Sequence, residues 1–524
     1  MFDMMVPVHT SRFFWQLLRR GGVACVLSLL LSLSGCTTGP DVEVDPGPPR
    51  TGIFHLDVAL EFIQGAPLEL VAPVYARAAV GLARLEADQD QLRRSVEIAR
   101  RLDGSLSRAG EPGGDVLLEW AGMWSVLAGL DDAYSERAAA VSSSVVSRVR
   151  GFAPKEAGRV LFRLLEAQLA NPNVDEESVR RTLDALYLLD DDTVRVRFLV
   201  DAADLIRAQG DRLALNPVVQ QAIAIVPVVE DPTTAVILKT RLADLSRTLG
   251  NVRDARSLQD QALRRAEEGL LVRPGDFGKI RQVLRYFLVQ GDRPGAEAII
   301  GNIAPVSSRA VAQALLGTVV LQEDGRLPYG DYYEEACATA LSIADSEVRA
   351  RAAAAVILLR AEGEPGWSPG ATIAELLGQA PVSRFDQEKR IEVLSSLTAA
   401  LIMTDRLREV SRLRGLILSA DELAHINLAA AELLYDRGFR DEALEQLGRI
   451  ERVPFPLPGE DDTPAYRIAR LYLSLGEYDR SVPVLADAER GEQARSLSLI
   501  PASHRMNPAI VTDLERLASS RSRS

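Results

Sequence analysis

Few side chains here can do covalent or metal chemistry: three cysteines and four histidines among 524 residues. Cys36 closes an apolar run, VACVLSLLLSL from Val23 to Leu33, within the stretch SLSGCTTGPD. A thiol so placed can be discarded with that run, serve structurally, or take an acyl chain. Cys25 lies inside the same run. Cys337 stands alone in YYEEACATALSIAD, an Ala-rich helical segment that predicts a buried and inert thiol. Past the first 35 residues the histidines are His55, His425 and His504, far apart and without the close spacing that holds zinc. Neither a GxxxxGK[ST] phosphate loop nor a dinucleotide fingerprint is present, and no segment reads as a nucleophile elbow. The runs Asp190-Asp191-Asp192 and Glu460-Asp461-Asp462 fall at helix boundaries, where carboxylates cap the backbone and complement the dipole. Neither has calcium-loop spacing. The expectation is therefore no catalytic residue, no metal ligand and no cofactor, with convergence of distant carboxylates left open.

The segment before Cys36 has the parts of a secretory signal: Arg12, Arg19 and Arg20, then the apolar run, then Ser34 and Gly35. Eleven residues rise only about 16 Å as a helix, roughly half a bilayer core, so a permanent span is not expected. The tetrapeptide Leu33-Ser34-Gly35-Cys36 resembles the lipobox of bacterial lipoproteins. That resemblance implies cleavage just before Cys36, diacylation of its thiol and frequent acylation of the new N-terminus. Two or three acyl chains anchor stably where one does not. The alternative is an ordinary secreted protein with a free Cys36. Thr37, in place of the Asp that retains such proteins at the inner membrane, implies the outer membrane, facing the periplasm. Residues 37–50, TTGPDVEVDPGPPR, carry four prolines and little to bury. At about 3 Å per residue they make a tether reaching roughly 40 Å.

The net charge is −13, and losing residues 1–35 removes three Arg and one Asp, so the remainder is more acidic still. Nucleic acid and anionic lipid surfaces are poor partners for such a chain. With Cys36 lipidated, Cys337 has no thiol to pair with. The chain is too long for one compact core. Aromatic residues are sparse, at 5%, and alternating strand patterns are nearly absent, so the chain reads as all-α.

Internal repetition supplies the architecture. Four segments repeat one pattern: RLADLSRTLGNVRDARSLQDQAL from Arg241, VLRYFLVQGDRPGAEAI from Val283, AAELLYDRGFRDEALEQL from Ala430 and RIARLYLSLGEYDRSVPVLADA from Arg467. Each has an apolar helix, a glycine, and a small residue five positions later: Gly250 with Ala255, Gly291 with Ala296, Gly438 with Ala443, Gly476 with Ser481. Glycine suits the left-handed residue that ends a helix, and the small residue admits a close second helix. Seven residues before the glycine stand Ala243, Ala431 and Ala469, with Leu284 as the exception. The pattern resembles the tetratricopeptide repeat, best in the last copy with Ala469, Tyr472, Gly476, Tyr478, Ser481 and Ala488. The resemblance implies antiparallel hairpins stacked in a right-handed α-solenoid. Glycine spacings of 41 and 38, against 34 in that family, make it degenerate. Gly210 marks a weaker copy whose second helix is expected to start late, at Asn216-Pro217, and 348–366 another. About ten to twelve hairpins would fill residues 53–515.

The expected organisation is a signal at 1–35, lipidated Cys36 and tether to 52, an array over 53–455, a terminal hairpin and helix over 456–515, and a disordered tail from 516. The loop RVPFPLPGEDDTP from Arg452 is the clearest break. Thr463 with Pro464 reads as a helix start, and Asp331 with Glu334 as a capping box. Trp120 and Trp124, spaced i,i+4, share a helix face and are expected in the core rather than in a ligand groove. His425 is expected in the core or an interface. Trp367, in GEPGWSPG before an expected Ser368 cap, is a candidate partner contact, as are Tyr329, Tyr332 and Tyr333. The expected function is a lipid-anchored interaction scaffold whose partners are envelope or periplasmic proteins. An envelope enzyme, such as one cleaving peptidoglycan, and a solute-binding subunit are the alternatives.

Overall fold

The computed structural model describes residues 51–519, less 52, 86–88, 109–110, 211, 324–329, 459, 461 and 505. The expected signal, Cys36, the tether, Tyr329 and the end of the tail lie outside these. Twenty-five α-helices and no strand occur among the described residues, where the one β-bridge joins Leu270 to Ile303. The chain is all-α. The described residues divide into two compact units: those within 1–152, 163–183 and 478–524 in the first, and those within 153–162 and 184–477 in the second.

The first unit begins with α1 (Phe54–Phe62), α2 (Leu68–Ala83), α3 (Gln89–Arg108), α4 (Gly114–Leu130) and α5 (Ser135–Val149). Helix α2 packs on α3 and α4, and α4 on α5. Trp120 and Trp124 are buried on α4, and both indole N–H groups donate to one oxygen of Asp103 on α3, that of Trp124 at 3.0 Å. Arg137 of α5 takes the other oxygen at 2.6 Å. The tryptophan pair is thus core, as its spacing predicts. Helices α6 (Pro154–Leu169) and α7 (Glu176–Tyr187) each have residues in both units.

The second unit is a run of hairpins. The first is α8 (Asp192–Gln209) with α9 (Arg212–Ile225), then α10 (Pro232–Thr248) with α11 (Val252–Ala266), and α12 (Phe277–Val289) with α13 (Arg293–Gly301). There follow α14 (Val306–Glu323) with α15 (Gly330–Leu341), α16 (Ser346–Gly363) with α17 (Gly370–Gln379), and α18 (Gln387–Met403) with α19 (Leu407–Leu413). The last are α20 (Ala420–Asp436) with α21 (Arg440–Gly448), and then α22 (Pro464–Leu475). Each first helix packs on the first helices before and after it, giving a continuous layer from α8 to α22 flanked by the second helices. That explains the Ala-rich composition of α16, where Ala350, Ala353, Ala354 and Ala361 are at most 2% exposed: packed from several sides, it has room only for small residues.

Glycines 210, 250, 291, 438 and 476 all have φ between +73° and +88°. Four of these turns carry the bond from the second residue past the helix back to its last turn: Asn251 N–H to Ser246, Asp292 to Phe287, Phe439 to Leu434 and Glu477 to Tyr472, at 2.8 to 3.0 Å. The small residues that follow, Ala255, Ala296, Ala443 and Ser481, are fully buried, as are Ala243, Leu284, Ala431 and Ala469 before them. The same turn recurs at Asp405, with φ +54° and Arg406 N–H bonded to Leu401 at 2.7 Å. Pattern reading passed over it because its left-handed residue is not glycine.

Three local expectations are corrected. Helix α9 starts at Arg212, with Pro217 inside it. Proline there forfeits one helical hydrogen bond, and the buried Leu215, Val218, Val219 and Ala222 outweigh the loss. Asp331 lies inside the first turn of α15, which starts at Gly330, so it is not a cap. Helix α17 is preceded at its N-cap by Pro369, not Ser368, and has no side-chain cap. Elsewhere the capping chemistry is as read: Asp191 accepts from Val194 N–H at 2.9 Å, and Thr463 from Tyr466 N–H at 3.3 Å.

The loop from Arg452 lies within the second unit, and the chain re-enters the first at Tyr478. There α23 (Tyr478–Val484), α24 (Arg490–Leu497) and α25 (Pro508–Ser519) complete the unit. Helix α25 runs past the expected boundary at 515. Helix α1 packs on α24 and α25, and α2 on α24, where Leu70 lies against Gly491 so closely that a β-carbon would stand 3.0 Å away. His55, 2% exposed, meets the carbonyl of Ile500 at 3.3 Å, and Arg77 donates to that of Arg495 at 3.4 Å. Thr51 is fully buried, its hydroxyl on Asp57 at 2.7 Å and its carbonyl taken by Arg94 at 3.2 Å.

Candidate interaction face

The layer of first helices carries a ladder of ion pairs. Arg241 of α10 reaches back to Asp201 and Asp204 of α8 at 2.6 and 2.5 Å, while Arg207 of α8 reaches forward to Asp244 at 2.5 Å. Arg285 of α12 meets Glu323 of α14 at 2.6 Å. Arg351 of α16 meets Glu392 of α18 at 2.7 Å, and Lys389 returns to Glu347 at 2.6 Å. Arg467 of α22 grips Glu432 of α20 at 2.6 Å. Partially exposed pairs are worth about 0–1 kcal/mol each, so the ladder sets register more than stability.

Glu362, at the end of α16, departs from the neighbour-to-neighbour rule. One oxygen lies 3.4 Å from Arg281 of α12 and the other 3.4 Å from Arg437 just after α20. These partners sit two hairpins behind and two ahead. Glu362 thus links α12, α16 and the end of α20 on one side of the layer. Gln322 of α14 fills the gap, accepting from Arg281 at 3.2 Å.

Tyr332 and Tyr333 are not contact residues. Tyr332 is 7% exposed and donates to Glu297 at 2.6 Å, and Tyr333 is fully buried with its hydroxyl 2.9 Å from that of Thr318. Burial first, and for Tyr332 its bond to Glu297, push both phenols up to about 12. Their aromatic bodies carry the start of α15, and that packing demand is what the sequence signal reported. Trp367 is half-buried in its turn, its backbone N–H donating to the Glu364 carbonyl at 2.9 Å and the Arg360 guanidinium 4.6 Å from its ring centre. The pentapeptide Gly366-Trp367-Ser368-Pro369-Gly370 does spell GxSxG, which motif reading missed. It joins two helices rather than a strand and a helix, so the nucleophile-elbow context is not met.

His425 is buried, its Nε2 2.8 Å from the carbonyl of Phe455, which places it in the core. Cys337 is half-buried, and burial pushes its thiol up to about 11, away from reactivity. Glu460 accepts from Leu457 N–H at 3.0 Å and from Arg467 at 2.6 Å, a turn carboxylate as expected. Among the described residues no group of three His, Cys, Asp or Glu could hold a metal ion. No helix of the described residues is long and apolar enough to cross a membrane.

No family model matches the chain, and no curated protein does. Among solved structures, Ton1535 from Thermococcus onnurineus NA1 is similar over 75% of this chain and 95% of its own, at 15% identity and TM-score 0.24. A circular tandem repeat protein with novel repeat topology and enhanced subunit contact surfaces is similar over 87% of this chain and 100% of its own, at 14% identity and TM-score 0.25. Likenesses this loose carry no argument about repeat class or role.

Proposed function

We propose that this protein is a lipid-anchored interaction scaffold of the bacterial cell envelope. Its second unit acts as a degenerate tetratricopeptide-like, right-handed solenoid, and the side of its first-helix layer around Glu362 receives envelope or periplasmic proteins. The observation that carries the reading is the continuous first-helix layer with its ladder of half-exposed ion pairs. A polar layer suits an extended partner, whose own charges can exchange with the half-exposed rungs. Trp367, which among the described candidates is half-exposed, is a further contact on the same reading.

Anchorage rests on Cys36, whose acylation would hold the protein at the outer membrane, on the periplasmic side. Cys36→Ala should abolish labelling by a fatty-acid analogue and release the protein from membranes. Unchanged labelling would exclude the anchor. For the scaffold, a photo-crosslinking residue at Arg285 should capture a defined protein in intact cells, while one at Asp260 on α11 should not. Equal capture at both positions, or none, would overturn it.

A further inference from the structure

Lys239 is one of only four lysines in the chain, and it lies on α10 with 8% of its surface exposed. Among the described residues its ammonium has a single hydrogen-bond partner, the neutral side-chain carbonyl of Gln261 on α11, at 2.8 Å. Two of its three N–H donors are left over. Gln261, Arg264 and Arg265 are spaced i, i+3, i+4 on α11 and so share one helix face. Arg265 is engaged, with Glu268 at 2.5 Å and the carbonyl of Glu230. Arg264 is exposed and makes no hydrogen bond or ion pair among the described residues.

A buried cation with no carboxylate beside it is costly, and the common remedy is a paired acid. The ladder applies that remedy to Arg241 with two aspartates on the neighbouring helix. Acids outnumber bases in this chain 73 to 60, yet none among the described residues partners Lys239. Burial, and then the like charges of Arg265 and Arg264, pull the lysine below its usual range.

We propose that Lys239 and Arg264 form an anion subsite on the α10–α11 hairpin that takes a phosphate group, free or as a phosphomonoester. The spare ammonium donors and the unengaged guanidinium fork supply charge-assisted hydrogen bonds to its oxygens. Phosphate bound there supplies the missing counter-charge, so binding and hairpin stability are linked. The inference stands apart from the scaffold reading, since neither side chain belongs to the ladder.

The test is calorimetric titration and thermal unfolding of the full chain with inorganic phosphate, with glycerol phosphate, and with sodium chloride at matched ionic strength. The expected result is a saturable rise in unfolding midpoint with either phosphate and none with chloride. Lys239→Met should abolish that rise and weaken phosphate binding at least about tenfold, as expected for loss of a charge-assisted contact. Without phosphate it should be no less stable than the parent, since it replaces an unpaired cation with an apolar chain. Arg264→Gln, at an exposed position that folding tolerates, should weaken binding while leaving the phosphate-free midpoint unchanged. A response to inorganic phosphate alone assigns a free ion, and a response to both assigns the phosphoryl group. No response, or equal responses in parent and both variants, would overturn the subsite.

Discussion

At the scale of single residues, a buried histidine and a buried ion pair set how the protein answers to pH and mutation. His55 is held neutral by burial, its pKa lowered from 6.5 to about 4. The unfolded chain takes a proton near 6.5 that the folded chain refuses until about 4, so stability falls as pH drops through that window and levels off below it. The loss is about 3 kcal/mol at its limit. Urea unfolding followed by the fluorescence of Trp120 and Trp124 between pH 7 and 4 should show it, and His55→Gln should flatten the profile. Arg390 and Glu422 form a buried pair, 7% and 1% exposed, further satisfied by the Phe385 carbonyl at 2.6 Å and Leu418 N–H at 2.8 Å. Glu422→Ala should cost about 3–5 kcal/mol by stranding the guanidinium, while the double change to Arg390→Met and Glu422→Leu should recover most of that. Denaturant titration distinguishes the two.

At the scale of helices and turns, the hairpin joints are where the sequence was most legible. A left-handed residue is expensive for most side chains with a β-carbon, so glycine announces it, and the small residue five positions on announces close packing. Gly438→Ala should therefore cost about 1–2 kcal/mol by thermal melt. Asp405→Gly, at the joint that lacked this signal, should instead be neutral or stabilising by up to about 1 kcal/mol. The joint at Asp405 was illegible because aspartate tolerates the left-handed region without advertising it. Pro217 misled in the opposite sense, since a proline reads as a boundary unless the burial around it is known. The ladder was out of reach for a different reason. Its rungs join residues 35 to 42 positions apart, a separation set by hairpin length rather than by any local period. Glu362, whose partners lie farther still, could be recognised only once the layer was built. The tyrosines of α15 were picked out by type and position, but burial, which decides between packing and contact, is a property of the fold.

At the scale of the whole chain, the proposed function divides between an N-terminal address and a repeat surface. On the proposed reading, the hairpins offer a polar face whose contacts with a partner are spread over many helices. Single substitutions on exposed rungs such as Arg285→Ala should then change stability by less than about 1 kcal/mol. On the proposed reading they should nonetheless reduce partner crosslinking, and a variant that lowers both together would point to a structural role.

Helix α1 and helix α24 are neighbours in the first unit although more than four hundred residues separate them along the chain. That separation dictates an order of assembly. Hairpins of the second unit need only local contacts and can form as they emerge, whereas the first unit must wait for the last segment and bear the entropy of closing a very long loop. The docking of α1 and α2 on α24 is thus a late event. In pulse-labelled hydrogen exchange, amides of α14, α16 and α18 should gain protection before those of α1. Until then the N-terminal helices remain without their partner surface, so this end of the protein passes through a window in which chaperones and proteases can reach what the finished fold conceals.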